Sequence, residues 1–222
     1  MKQLFHINLL ILLALLLIPS QSFAAATGIT AEHALDSLKN GNMRFVRLKL
    51  TNTDYNKQIE KTKDAQHPFV AVLSCMDSRV PPEIIFDQGI GNIFVAREAG
   101  NVVSANTLGS LEYAVNVKKV ALVVVMGHSG CGAVAAAVDG TELSAYRNLE
   151  QLINQIKPAA RNCKDNIYQC TEKSNIKLSI SEMLRNSQPI SDAVKNNEVK
   201  VIGAYYDISS GIVTFDTEYS FE

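Results

Sequence analysis

The chain has no tryptophan, no internal repeat, no low-complexity tract and no linker that would divide it. Over 222 residues, with 47% apolar and 19% charged, these absences argue against disorder and for one domain around a single buried core. It also lacks any cluster of Lys or Arg. With 21 basic against 22 acidic residues the formal charge is −1, and no basic helix is available to track a phosphate backbone. Nucleic acid is thereby excluded as a partner.

Long apolar runs are scarce too, and the one that stands out is terminal. Leu9 to Ile18 is unbroken, preceded by Lys2 and followed by Pro19 and the small-residue stretch Ser22 to Ala26. That layout predicts a secretory signal peptide over residues 1–24, cleaved after Ala24 or as late as Ala26, and a single mature domain over 27–222. The alternative is a retained anchor, but the run falls below the ~20 residues needed to cross a hydrocarbon core. No second candidate span follows, so the cleaved chain is expected free of the membrane, exported across an inner membrane into the periplasm.

Cysteine is limited to four residues, in two settings. Cys163 and Cys170 lie in the polar segment Arg161 to Ser174 and would close a small surface loop as a disulfide, the pairing favoured by export over two free thiols. Cys75 and Cys131 each follow an apolar, β-branched run.

Those runs predict strands buried on both faces: Phe69 to Leu73, Ile93 to Ala96 and Val120 to Val125. Val199 to Tyr206 turns back through Ser209-Ser210-Gly211 into Ile212 to Phe215 as an antiparallel hairpin. Helices are expected over 31–48, capped by Thr30 and interrupted near Gly41, then from Pro81-Pro82 toward Phe86, and over 104–117, 133–138, 144–160, 174–187 and 189–196. The fold class is therefore α/β: three layers, four mostly parallel strands plus an antiparallel edge strand, and an N-terminal helical arm.

Loops leaving the carboxyl ends of parallel strands converge on one crevice. Cys75-Met76-Asp77-Ser78-Arg79 leaves the first strand and His128-Ser129-Gly130-Cys131 the third. If those strands are neighbours, Cys75, His128 and Cys131 meet. Two thiolates and an imidazole suit zinc rather than Mg²⁺ or Ca²⁺, and three protein donors leave a fourth tetrahedral position for water, which marks catalysis. Asp77 would either accept a hydrogen bond from that water or become a ligand, and a bidentate pair with Arg79 would hold it off the metal and ionised. Acid would weaken that pair, so a pH–rate profile flat to about pH 5, just above the ordinary carboxylate range, would tell against a gating role for Asp77.

Through C-x-D-S-R at Cys75 to Arg79 and H-x-x-C at His128 to Cys131, the chain resembles the β-class carbonic anhydrases. Gly41 to Phe45, Phe86 to Gly89, Arg97 to Asn101, Leu111 to Val115 and Gly203 to Tyr206 extend the likeness in order. The resemblance implies a lyase that reversibly hydrates CO₂ to bicarbonate and a proton, with one Zn²⁺ per chain held by Cys75, His128 and Cys131. Zinc-bound hydroxide would attack CO₂ while Asp77 orients it and Arg79 holds Asp77. Gln66 matches the family's substrate amide, and Phe94, Ala99, Tyr113 and Gly132 match the lining of its small cavity. In that family several of these come from the neighbouring subunit, which implies a homodimer or a dimer of dimers (a homotetramer).

The chain departs from the family pattern twice. Glu98 stands where many members have Asn, which would add a carboxylate near the cavity wall. Val72 stands where some members place the Trp of an inhibitory bicarbonate site. Three other readings stay open at this point: a redox dithiol of Cys75 and Cys131, a zinc protein without catalysis, and a related linear substrate such as CS₂ or COS.

Overall fold

The computed structural model describes residues 28–216, so the expected signal peptide lies outside the described residues. Val70–Ser74 (β1) and Leu122–His128 (β3) pair in parallel in the middle of a five-stranded sheet, buried at every position. Ile93–Arg97 (β2) pairs in parallel with β1, and Lys200–Tyr206 (β4) with β3. Val213–Asp216 (β5) closes the far edge antiparallel to β4. Four parallel strands with an antiparallel edge are the expected sheet, and the order β2-β1-β3-β4-β5 makes β1 and β3 neighbours. β3 runs past the expected Val125 to His128, which places the imidazole on the strand's last residue.

Helices cover both faces. Ala31–Val46 (α1) starts at Thr30, whose hydroxyl accepts from the His33 amide. Contrary to the expected interruption, α1 runs straight through Gly41. A Cβ there would lie 1.7 Å from the Phe86 carbonyl oxygen, so this glycine permits close approach and breaks nothing. Ala34, Leu35 and Leu38 join Phe86, Val124 and Ile202 in one core cluster. Asn42 donates from Nδ2 to the Ile85 and Gly211 carbonyls and accepts from the Val213 amide, pinning the helical arm to β5. Tyr55–Thr62 (α2), capped by Asp54, is a helix the sequence did not announce, and none of its residues is buried.

Pro82–Ile85 (α3) opens at the paired prolines. Ala105–Glu112 (α4) widens into a π turn at Tyr113–Val117, so the expected helix over 104–117 is present with a loosened end. Gly132–Asp139 (α5) follows Cys131 directly. Arg147–Ala160 (α6), Ile167–Asn186 (α7) and Gln188–Lys195 (α8) complete the helices. Ile176, Ile180 and Met183 of α7 pack with Val123, Val125 and Val201 of the sheet. α7 begins at Ile167, well before the expected Ser174, so half of the polar segment is helix. The Cys163–Cys170 disulfide bridges the α6–α7 turn with Cα atoms 5.6 Å apart. A loop this short contributes about 2–3 kcal/mol by restricting the unfolded chain. Among the described residues no helix is long and apolar enough to cross a membrane.

Candidate metal centre

β1 and β3 end side by side, and the loops leaving them converge. Cys75, His128 and Cys131 are buried, and their donor atoms all lie within 4.8 Å of one another. The two sulfurs are 4.0 Å apart and both thiols are free. Two sulfurs on a tetrahedral zinc lie roughly 3.8 Å apart, so the spacing suits a shared metal. His128 Nδ1 faces the Ser129 carbonyl at 3.0 Å, while its buried Nε2 has no hydrogen-bond partner. Orphaned buried nitrogens are rare, and this one is the atom a metal would take. No further His, Cys, Asp or Glu belongs to the cluster among the described residues, so a fourth protein ligand, the mark of a purely structural site, is not offered.

The electrostatics favour anionic sulfur. The Cys131 thiol and His128 face the Cys75 sulfur, and the amides of Asp77 and Gly100 point at it from 3.4 and 3.3 Å. The Cys75 thiol is pulled down to about 4, with Cys131 keeping the shared proton in the absence of metal. Burial presses the His128 imidazole toward neutrality, but the facing Cys75 thiolate outweighs it and its pKa rises.

Asp77 stands beside the cluster without joining it. Its Oδ1 accepts from the Arg79 amide and Nε, both at 2.9 Å, and Oδ2 accepts from Nη2 at 2.7 Å. This is the bidentate clamp expected from the sequence, and Arg79 holds the carboxyl well below the usual carboxylate range. One expectation changes as a result. Asp77 stays ionised through pH 5, so a profile flat to that point no longer tells against its role. Arg79 also donates to the Gly130 carbonyl at 3.3 Å, bridging the two ligand loops.

Sequence reasoning assigned no role to several residues that build the site. Arg97, at the end of β2, donates to the carbonyls of Cys75 and Asp77 and fixes the backbone that presents both. Its signal was its place in the Arg97 to Asn101 run. Glu172 reaches the Cys131 amide and Asn175 the Gly100 carbonyl with nothing in their local sequence to mark them, while Tyr205, inside the Gly203 to Tyr206 run, donates to Glu172. The Glu98 carboxylate accepts from the Ser104 and Thr107 hydroxyls at the start of α4.

The expected cavity residues divide. Ala99 is half-buried next to Gly100, and Gly132 is exposed next to Cys131, so both flank the metal donors. Phe94 pairs in register with Ala71, and Tyr113 packs edge-on against it at 6.2 Å between ring centroids. Both line a groove of about 470 Å³ between β2 and α4. Gln66 is exposed before β1, in a groove of about 790 Å³ with Ile90 and Lys118. The five residues of β1 separate it from Cys75. At ~3.3 Å per residue that is about 16 Å, so no single chain brings Gln66 to its own metal donors.

Comparison with known proteins places this geometry in context. Residues 70–213 match the family model described as "Carbonic anhydrase". The chain is 34% identical over 186 residues to "Carbonic anhydrase 2" of Mycobacterium tuberculosis, covering 80% of this chain and 89% of that one. It is 32% identical to a carbonic anhydrase of Mycolicibacterium smegmatis, covering 81% and 90%. Among solved structures, a tetrameric β-carbonic anhydrase of Sordaria macrospora is similar with a TM-score of 0.62 at 26% identity, over 83% of this chain and 95% of that one. One from Aspergillus fumigatus shares the fold with a TM-score of 0.67 at 22% identity, over 86% and 92%.

Proposed function

The chain belongs to the β-class carbonic anhydrases, and from that premise we propose that it hydrates CO₂ reversibly to bicarbonate and a proton with one zinc per chain. The observation that carries the metal reading is the cluster of Cys75, His128 and Cys131 at two adjacent strand ends, beside a carboxylate clamped by Arg79. Zinc bound there would supply a hydroxide nucleophile at neutral pH by lowering the pKa of the water it holds. Cys75, His128 and Cys131 would hold the ion. Asp77 would accept the hydrogen bond of the attacking oxygen and aim its lone pair at the carbon, a task that requires an ionised, immobile carboxylate. Arg79 supplies both conditions. Ala99 and Gly132 keep the approach small and sparsely polar, which suits an uncharged linear substrate.

The working unit in this reading is a homodimer or a dimer of dimers. Gln66, Phe94 and Tyr113 are remote from their own metal cluster and would complete a partner's cavity. Their flank supports this: β2 is an edge of the sheet, and nearby Tyr113 and Val117 are 45% and 63% exposed. We read residues 1–24 as the leader of a periplasmic protein, a reading supported by the Cys163–Cys170 disulfide, since such bonds persist in oxidising compartments.

Stopped-flow CO₂ hydration with a pH indicator, on chain of quantified zinc content, tests the reading. Activity with zinc near one per chain, and a fall of roughly 10- to 100-fold in Asp77→Ala, are the expected results. Full zinc occupancy without hydration would overturn it and redirect the search to CS₂ or COS.

A further inference from the structure

One helix that takes no part in the chemistry above reaches the Cys131 amide directly and the Cys75 sulfur by way of Gly100. Glu172 and Asn175 of α7 stand three residues apart and so share a face. Asn175, 1% exposed, donates from Nδ2 to the Gly100 carbonyl at 2.6 Å, and the Gly100 amide in turn points at the Cys75 sulfur. Glu172, 5% exposed, accepts from the Cys131 amide through Oε1 at 3.2 Å and from the Tyr205 hydroxyl through Oε2 at 2.7 Å.

Glu172 is the more telling of the two. A buried carboxylate is expensive unless its oxygens are occupied, and here each oxygen has its own donor. Cys131 is the N-cap of α5 and has no side-chain cap of its own. Tyr205 lies on β4 opposite Gly127 of β3, beside the Tyr206 that pairs with His128. The carboxylate therefore spans from the loop that carries one ligand to the strand pair that carries another. An amide fixed by an acceptor restricts the backbone of Cys131, and with it the direction of the sulfur.

We infer that Glu172 is a positioning residue: by bridging the Cys131 amide and the Tyr205 hydroxyl, it sets the geometry and lifetime of a metal held by Cys75, His128 and Cys131. The inference rests on the metal-site reading but not on the identity of the reaction.

The test uses the full chain loaded with Zn²⁺ or Co²⁺, as wild type, Glu172→Ala, Glu172→Gln and Tyr205→Phe. Zinc release to a chromogenic chelator should be 10- to 100-fold faster in Glu172→Ala, the usual effect of losing a group behind a ligand. Glu172→Gln keeps an acceptor for the Cys131 amide and should stay within about threefold of wild type, with Tyr205→Phe between the two. The ligand-field and thiolate charge-transfer bands of the Co²⁺ form should move in Glu172→Ala and return in Glu172→Gln. A loss of general stability would lower the melting temperature and leave those bands in place.

Wild-type release and spectra in both Glu172→Ala and Tyr205→Phe would overturn the inference. Should Glu172→Ala fail to fold, Tyr205→Phe decides by the same two readouts. Altered release in a chain that never hydrates CO₂ would keep the positioning role and sink the carbonic anhydrase reading. Full hydration with unaltered release would do the reverse.

Discussion

The two ends of β1 are built on different principles. At its carboxyl end, Cys75, His128 and Cys131 are buried, Asp77 is clamped, and the surrounding backbone is held by Arg79, Arg97 and α7. At its amino end, Gln66 is exposed, and Phe94 and Tyr113 lie along an open groove on the sheet's edge. In the proposed reading, one chain offers a complete set of metal donors and an incomplete substrate cavity. A metal site tolerates little looseness, because donor atoms must agree within tenths of an ångström, so it is made from adjacent strands of one sheet. A cavity wall needs only shape, and two surfaces meeting can supply it.

Breaking the finished end should have the largest effect. Cys75→Ser removes a thiolate donor, and both zinc content and hydration should collapse, the rate by on the order of 10³ or more. Zinc analysis beside stopped-flow checks this. Gln66→Ala should leave zinc near one per chain and lower kcat/KM by about 10²-fold, the scale of losing one positioned donor. Mixing the two inactive chains sharpens the comparison. If the cavity is completed in trans, a mixed dimer regains one intact site, with zinc from the Gln66→Ala chain and the amide from the Cys75→Ser chain. No recovery after subunit exchange would remove Gln66 from the substrate cavity and overturn its completion in trans.

Smaller effects concern the scaffold between the two ends. Reducing the Cys163–Cys170 disulfide should lower unfolding free energy by about 2–3 kcal/mol in urea titration. Asp87 should show the mildest signature. Burial raises its carboxyl pKa, but Arg44 and the amides of Thr51 and Asn52 outweigh it, so the folded value lies below the ordinary one. The stability it contributes is fully present above the unfolded value of about 3.9 and is lost as pH falls through the folded value. The gap between wild type and Asp87→Asn in urea midpoint should therefore be constant from neutrality to about pH 5 and shrink below about pH 4.

The sheet and the metal cluster were legible because their signals are local. A β-branched run without polar alternation identifies a buried strand wherever it stands, and a Cys or His directly after it inherits the strand's end. The clamp of Asp77 by Arg79 was legible for the same reason, since the two lie in one short loop. Glu172 and Tyr205 were not. Glu172 meets the Cys131 amide, and Tyr205 meets Glu172, only through the packing of α7 across the end of the sheet, and the polar segment before Ser174 read as a loop because its helix lacks a strong apolar stripe. Gly41 misled in the opposite direction, since a glycine inside a helix can mark a break or a close neighbour, and only the Phe86 carbonyl decides which.

The Cys163–Cys170 pair also bears on the order of events as the chain matures. Four cysteines can form six different single disulfides, and only Cys163–Cys170 leaves both metal donors reduced. The partners in that disulfide are 7 residues apart, whereas Cys75 and Cys131 are 56 apart. Shorter loops close at lower entropic cost and therefore more often. In an oxidising compartment the local pair would capture itself first, leaving each remaining thiol without a near neighbour in sequence. On the proposed reading of an exported zinc enzyme, this staple of the folded state would also be a device of timing, keeping two reactive sulfurs unspent until the sheet brings them to the ion.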